Sequence, residues 1–415
     1  MRRSHPSLVL TLASIALPFW VGCSSGSHGT PGLPAGVPPA VKQAYDQGTP
    51  VPTALVAADN GLGFAAFALL RQAHPGNLLV SPMSLAQALD MAYNGAGGQT
   101  LAGMAQALGL TGVGAGQLDQ DNAALLAHLY SSDPDVTLIL ANSIWARADI
   151  LPSFLATNQT YFGAQVGTMD GAPGSVNAWV DQVTQGRIPA VLDPGLDCSQ
   201  LDAILANALY FKGTWHTAFQ VADTVAAPFT RMDGSQVSCT MMTQMAAGGF
   251  GRTATCDVAW LPYGGGRYRM VFLLPPPGAS LASLAPDPAG WESLIQAAAA
   301  PSFQIHLPRF TAKWSASLND TLIQLGMADA FDPLRADFPA LASVAEYLAF
   351  VTQSTTVAVD EAGTVATAAT AAGAAPTATG PGLNMVLDHP FIYAIQDTGT
   401  GAILFLGQLV DPTAG

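Results

Sequence analysis

Seven histidines and four cysteines are the side chains of this 415-residue chain best suited to proton transfer, nucleophilic attack or metal binding. Their spacing builds none of these. The chain has no Gly-x-Ser-x-Gly elbow, no His-Glu-x-x-His helix and no phosphate-cradling glycine loop. His5 and His28 precede the part expected to fold, and His216 and His306 read as surface or hydrogen-bonded core residues. Apart from Cys23, the cysteines Cys198, Cys239 and Cys256 form neither a CxxC pair nor a His-Cys metal spacing. Small buried thiols are the expectation, with one Cys239–Cys256 bond as the alternative in an oxidising compartment. Neither a metal nor a cofactor is expected, and the sequon Asn158-Gln159-Thr160 reads as incidental.

The chemistry instead lies in what one stretch leaves out. From Ala362 to Leu387 no residue is charged, and between Ala362 and Ala378 nine residues are alanine, interleaved with Thr and Gly. Strand alternation places Thr364, Ala366, Ala368, Thr370 and Ala372 on one face and Val365, Thr367, Ala369 and Ala371 on the other. With small side chains on both faces, such a strip can slide between two existing strands without a steric or desolvation barrier. Composition alone also allows a low-complexity linker. The 14 residues from Thr364 to Thr377 would make roughly 46 Å of new strand.

The elements that must position this strip are of mixed type. Helical spacing predicts helices over 62–74, 84–94, 178–185 and 316–325, the last closed by Gly326. Apolar runs predict strands over 136–144, 201–211, 267–274, 302–305, 351–359 and 403–409, several buried on both faces. Helices crowd the first half and strands the second, without βαβ alternation or a fixed repeat, so the class is α+β. Half the residues are hydrophobic, 10% are charged, and the net charge is −14 with only three lysines. That balance argues against a nucleic-acid partner, which needs clustered cations.

The first residues read as an export signal: Arg2 and Arg3, an apolar stretch over 8–21, then Gly22-Cys23-Ser24-Ser25. The stretch is too short for an ordinary spanning helix. Val21-Gly22-Cys23 resembles the lipobox of bacterial lipoproteins, although Trp20 stands where that motif usually has Leu. The resemblance implies a lipid on Cys23, the one expected membrane contact, and Ser24 fits sorting to the outer membrane. The division is then 1–22 signal, 23–53 lipidated Ser-, Gly- and Pro-rich tether, and 54–415 folded domain. Export to the cell envelope or beyond is expected.

Motifs in fixed order along the folded part resemble the serpin family. They include Asn77-Leu-Leu-Val-Ser81-Pro82-Met-Ser84 through Thr100, Val176-Asn177-Ala178-Trp179, and Asn207-Ala208-Leu209-Tyr210-Phe211-Lys212-Gly213-Thr214-Trp215. Leu261-Pro262-Tyr263, Leu307-Pro308-Arg309-Phe310, Asp360-Glu361-Ala362-Gly363-Thr364 and Asp388-His389-Pro390-Phe391 follow. The resemblance implies three sheets with eight or nine helices, a monomer, and an exposed loop over about 361–379. A serine protease attacks that bait, forms a covalent acyl-enzyme, and is carried across the molecule as the loop inserts into the main sheet.

By the same resemblance, Glu361, Gly363, Thr364, Val365, Ala366, Thr367, Ala368, Ala369 and Thr370 form the hinge, with Val365 replacing the usual Glu. The scissile bond falls at Thr377-Ala378 by one count and near Thr379 by another, within 375–379, which from Ala375 holds only Ala, Pro and Thr. A small residue before the bond implies a small primary pocket, elastase-like or subtilisin-like. Ser81, Ser84 and Asn207 match the polar shutter under the main sheet, Gln353 stands where the family usually has His, and Trp215 matches the breach where the loop first inserts. The small hinge residues favour an active inhibitor over a non-inhibitory member of the family, and a protease inhibitor rather than an enzyme is expected. A non-inhibitory binding protein whose loop is only a substrate, or a trap for papain-like cysteine proteases, are the competing readings.

Overall fold

The computed structural model describes residues 36–131, 135–146, 150–169, 171–184, 188–199, 203–364 and 383–414, with 33, 133, 186 and 201. Nine α-helices lie among them: α1 Pro39–Gln47, α2 Thr53–Ala73, α3 Pro82–Tyr93, α4 Gly98–Ala107, α5 Ala115–Tyr130, α6 Pro152–Phe162, α7 Gly174–Val183, α8 Pro288–Ala297 and α9 Asn319–Leu322. The strands of the first half are β1 Leu78–Val80, β2 Val136–Ala146, β3 Gln165–Thr168 and β4 Ala203–Thr214. Then come β5 Val225–Thr230, β6 Gln236–Arg252, β7 Asp257–Tyr263, β8 Tyr268–Leu274, β9 Ala300–Pro308 and β10 Phe310–Ser317. The last are β11 Leu348–Val359, β12 Gly363–Thr364, β13 Asn384–Val386, β14 Phe391–Asp397 and β15 Ile403–Leu409.

The strands form a six-stranded sheet in the order β10-β11-β12-β4-β2-β3 and a nine-stranded one, β1-β15-β14-β8-β7-β6-β9-β13, with β5 on β6. The second corresponds to two of the three expected sheets fused through β6, whose register shifts between Ala247 and Phe250. Glycine allows that bend: a Cβ on Gly248 would run into the Trp260 carbonyl and one on Gly251 into the Ala297 carbonyl. Strands that are apolar on both faces are buried on both, as in β4, where every residue from Ala203 to Phe211 is inside.

Two expectations need correction. The tether expected over 23–53 does not hold for α1, which buries Val41 and Ala44 and packs on α5 and α6. A proline at its first turn and Gly48 in the left-handed conformation at its C-cap delimit the helix. The helix expected over 316–325 begins three residues late, because β10 runs on through Ser317, opposite Thr352 of β11. From Asn319 the helix is present as α9 and a π-turn over Ile323–Met327, broken where expected by Gly326 at φ 111°. Sheet pairing overrides local helix propensity there.

Cys198, Cys239 and Cys256 are all buried, and Cys239 and Cys256 are free thiols. Cys239 lies near the start of the long β6 and Cys256 in the turn beyond its far end, so the alternative bond between them is not formed. Asn158 is fully buried, its amide donating to the Phe154 carbonyl at 3.1 Å, which removes it as a glycan acceptor.

Candidate functional site

The site is a seam in the six-stranded sheet. β4 and β11 run parallel and pair directly from Phe350 opposite Ile204 to Thr355 opposite Leu209. Above that point they part, and β12 lies between them, antiparallel to both: Thr364 faces Gly213 on one side and Val359 on the other. The offset between the flanking strands is the same 146 positions where they pair (Gln353 opposite Asn207) and where they part (Val359 and Gly213). They have separated sideways without sliding.

A tight turn feeds β12. The Asp360 carboxylate accepts from the amides of Ala362 at 2.9 Å and Gly363 at 3.1 Å, while its own amide donates to the Gly363 carbonyl at 2.9 Å. Gly363 has φ 154°, and a Cβ there would collide with the Gly213 carbonyl and come within 2.7 Å of the Thr214 Cα. Glycine is required by that close approach. The Trp215 amide donates to the Ala362 carbonyl at 2.9 Å and its indole N–H to the Asp360 carbonyl at 3.0 Å. Glu361 takes Arg309 Nη2 on its carboxylate. Burial would raise the Glu361 pKa, but the bond and charge of Arg309, together with bonds from a backbone amide and Thr224, hold the carboxyl below its ordinary value.

Thr364 is completely buried, its hydroxyl 2.5 Å from the Tyr263 phenol. The Tyr263 ring is stacked on Trp215, with centroids 4.4 Å apart and planes 10° off parallel, and meets Phe211 edge-on at 5.1 Å. Burial pushes the Tyr263 pKa up against the bond from Thr364, so the phenol keeps its proton.

Lower in the seam, Asn142, Asn207 and Gln353 stand abreast on β2, β4 and β11. Asn207 donates to the Asn142 side-chain oxygen, and Asn142 donates to Gln87 of α3 at 3.1 Å. The Gln353 amide clasps the backbone of Ser81, accepting from its N–H and donating to its carbonyl, both at 2.9 Å. Ser81 in turn caps α3 through the Ser84 amide at 3.3 Å. The Ser84 hydroxyl, the Gln87 amide nitrogen and the Asn207 oxygen, although buried, have no hydrogen-bond partner among the described residues.

A family model described as "Serpin (serine protease inhibitor)" matches residues 57–412. The chain is a serpin. Leukocyte elastase inhibitor of Bos taurus is 32% identical over 384 residues, 86% of this chain and 99% of that protein. Human glia-derived nexin is 29% identical over 385 residues, 87% of this chain and 94% of its own length. The native-state crystal structure of the thermophilic serpin tengpin superposes with a TM-score of 0.78 at 28% identity, covering 86% of this chain and 94% of tengpin.

The structure of this serpin brings Glu361, Gly363, Thr364 and Trp215 together at the top of the seam, and Ser81, Ser84, Asn207 and Gln353 lower down. The other expected hinge residues, Val365, Ala366, Thr367, Ala368, Ala369 and Thr370, lie outside the described residues. So do the reactive-bond candidates Ala375, Thr377, Ala378 and Thr379, and the lipidation candidate Cys23. Sequence reading assigned no role to Arg309, Tyr263, Asn142 or Gln87. The first two sit in the motifs Leu307-Pro308-Arg309-Phe310 and Leu261-Pro262-Tyr263, and Gln87 in the stretch from Asn77 through Thr100; Asn142 carries no such signal, being a polar residue inside an apolar strand.

Proposed function

We propose that this serpin is an irreversible, suicide-substrate inhibitor of serine proteases with a small primary pocket, elastase-like or subtilisin-like. The strip after Thr364 is the bait, cut at or near Thr377-Ala378, and the acyl-enzyme is trapped when the strip becomes a strand between β4 and β11. One observation carries this reading: β12 already occupies the seam in the orientation such a strand needs, between flanks that have parted without slipping. A strand continuing β12 in register would set position 370 between Asn207 and Gln353 and position 374 opposite Ala203, the lower end of β4. Thr377 would then lie just past the end of the sheet, carrying the attached enzyme to its far edge.

The bait's composition supports the pocket size. Ala, Pro and Thr fill 375–379, and no Lys or Arg occurs from 362 to 387, so an acidic trypsin-like pocket would find no charge to pair. The likeness to leukocyte elastase inhibitors points the same way. With residues 1–22 as an export signal and a lipid on Cys23, the inhibitor would meet its targets at the cell envelope or outside. The test is to titrate an elastase-like, a subtilisin-like and a trypsin-like protease with the chain and resolve the products on denaturing gels. A complex that survives denaturation with the first two and not the third is the expected result. Cleavage within 375–379 with full residual protease activity in every case would overturn it.

A further inference from the structure

We propose that Tyr263 is a positioning residue for loop insertion: its hydroxyl seats Thr364 at the top of the seam and sets, before any cleavage, the register in which the strand grows. The proposal rests on the inhibitory reading and adds to it the device that chooses the register. Packing alone does not require the phenol oxygen. The Tyr263 ring fills its place through Trp215 and Phe211, and Gly213 makes room for it, since a Cβ there would press within about 3 Å of both aromatic rings. A phenylalanine would satisfy those contacts equally. Among the described residues the hydroxyl reaches the Thr364 hydroxyl, at 2.5 Å, and the Met270 sulfur, at 3.5 Å, and no other polar atom. A thioether is a weak acceptor, so the work of that buried oxygen is to hold Thr364.

Register matters because the two faces of the strip are not equivalent. A slip of one residue turns every side chain to the opposite face. It would drive the branched Val365 and Thr367 toward the helical core in place of Ala366 and Ala368. The hinge backbone offers little resistance to such a slip, because nearly every side chain in the strip is small. The turn at Asp360, the close approach of Gly363 and the hydroxyl pair are what fix the starting point, and of these only the hydroxyl pair recognises a side chain of the inserting strand. Thr364 therefore acts as the index position and Tyr263 as its stop.

The test compares the full chain with Tyr263→Phe, Thr364→Val, Thr364→Ser and the Tyr263→Phe/Thr364→Val double variant. Hydrogen exchange over 360–364 and the stoichiometry of trapping an elastase-like protease are measured for each. Losing one buried hydrogen bond is expected to speed exchange at 360–364 by roughly three- to tenfold, with exchange in β2, β7 and β8 unchanged. Trapping should need more inhibitor per protease for Tyr263→Phe and Thr364→Val, no more for the double variant than for either single, and the wild-type amount for Thr364→Ser. Unchanged exchange at 360–364 in Tyr263→Phe overturns the seating. Faster exchange with unchanged stoichiometry overturns the role in insertion. If the wild-type chain traps no protease, the inhibitory reading fails, and the exchange data still decide whether the hydroxyl seats the hinge.

Discussion

Replacing Thr364 with arginine should turn the inhibitor into a substrate, and the structure sets the size of the effect. Thr364 is fully buried against Tyr263 and Gly213, and the nearby carboxylate, Glu361, is already engaged by Arg309. A guanidinium on the inner face would be a buried charge without a partner, at a cost of about 3–5 kcal/mol. In the uncleaved protein β12 can leave the seam, losing the Tyr263 bond, worth about 1 kcal/mol. In the inserted state there is no such escape. At a factor of ten per 1.36 kcal/mol, insertion should slow by two to three orders of magnitude, while acylation at the proposed bond after Thr377, thirteen residues away, proceeds as before. Acyl-enzyme hydrolysis then wins the competition. The assay titrates an active-site-counted elastase-like protease with wild-type and Thr364→Arg chains, measuring loop cleavage and residual activity together. Wild-type stoichiometry from the arginine variant would refute the placement of Thr364 on the buried face of an inserting strand.

Other outcomes follow from the same contacts. Gln353→Ala strips the Ser81 amide of its acceptor beneath the sheet and should cost about 1–3 kcal/mol, read as a fall in the denaturant midpoint at unchanged slope. Burial, opposed by an Asn122 hydrogen bond and aided by the Asp119 charge, pushes Asp90 up to about 7; burial, opposed by Asn94, pushes Asp119 up to about 6. Both are neutral-favouring in the folded state, so their contribution is fully present below the unfolded carboxyl value near 3.8 and is lost as pH rises toward 7. Asp90→Asn should therefore gain thermal stability over wild type between pH 4 and 7, and a constant difference across that range would contradict the assignment. His389 runs in the same direction at higher pH: burial lowers its pKa, but bonds to the Asp388 carboxylate and the Pro275 carbonyl raise it above its ordinary 6.5. The stability it contributes is complete below that value and is lost as pH climbs through the raised one, so the wild-type minus His389→Gln difference should shrink from pH 6 to pH 8.

Elements dominated by apolar or β-branched residues were legible in the sequence: β4 and β15 lie where their apolar runs predict, and β11 where Val and Thr crowd together. α5 was hidden because Asp119 and Asn122 are buried in the middle of it and break the apolar period. β6 was hidden by its glycines, which look like turn signals and instead admit Trp260 and the chain at Ala297. The hinge and the polar row under the sheet were legible only through resemblance to a family, motif by motif. What no motif supplies is pairing across distance: Thr364 finds Tyr263 from 101 positions away and Glu361 finds Arg309 from 52. Those contacts exist only once β7, β9 and the turn at Asp360 have been brought to one end of the seam.

The account stands on where the bait goes after it is cut, so the structure of the loop-cleaved protein is the decisive measurement. The expected result is a new strand between β4 and β11, antiparallel to both, with residue 370 opposite Asn207 and Gln353 and the direct pairing of Phe350–Thr355 with Ile204–Leu209 gone. A cleaved chain in which β4 and β11 still pair directly would contradict it.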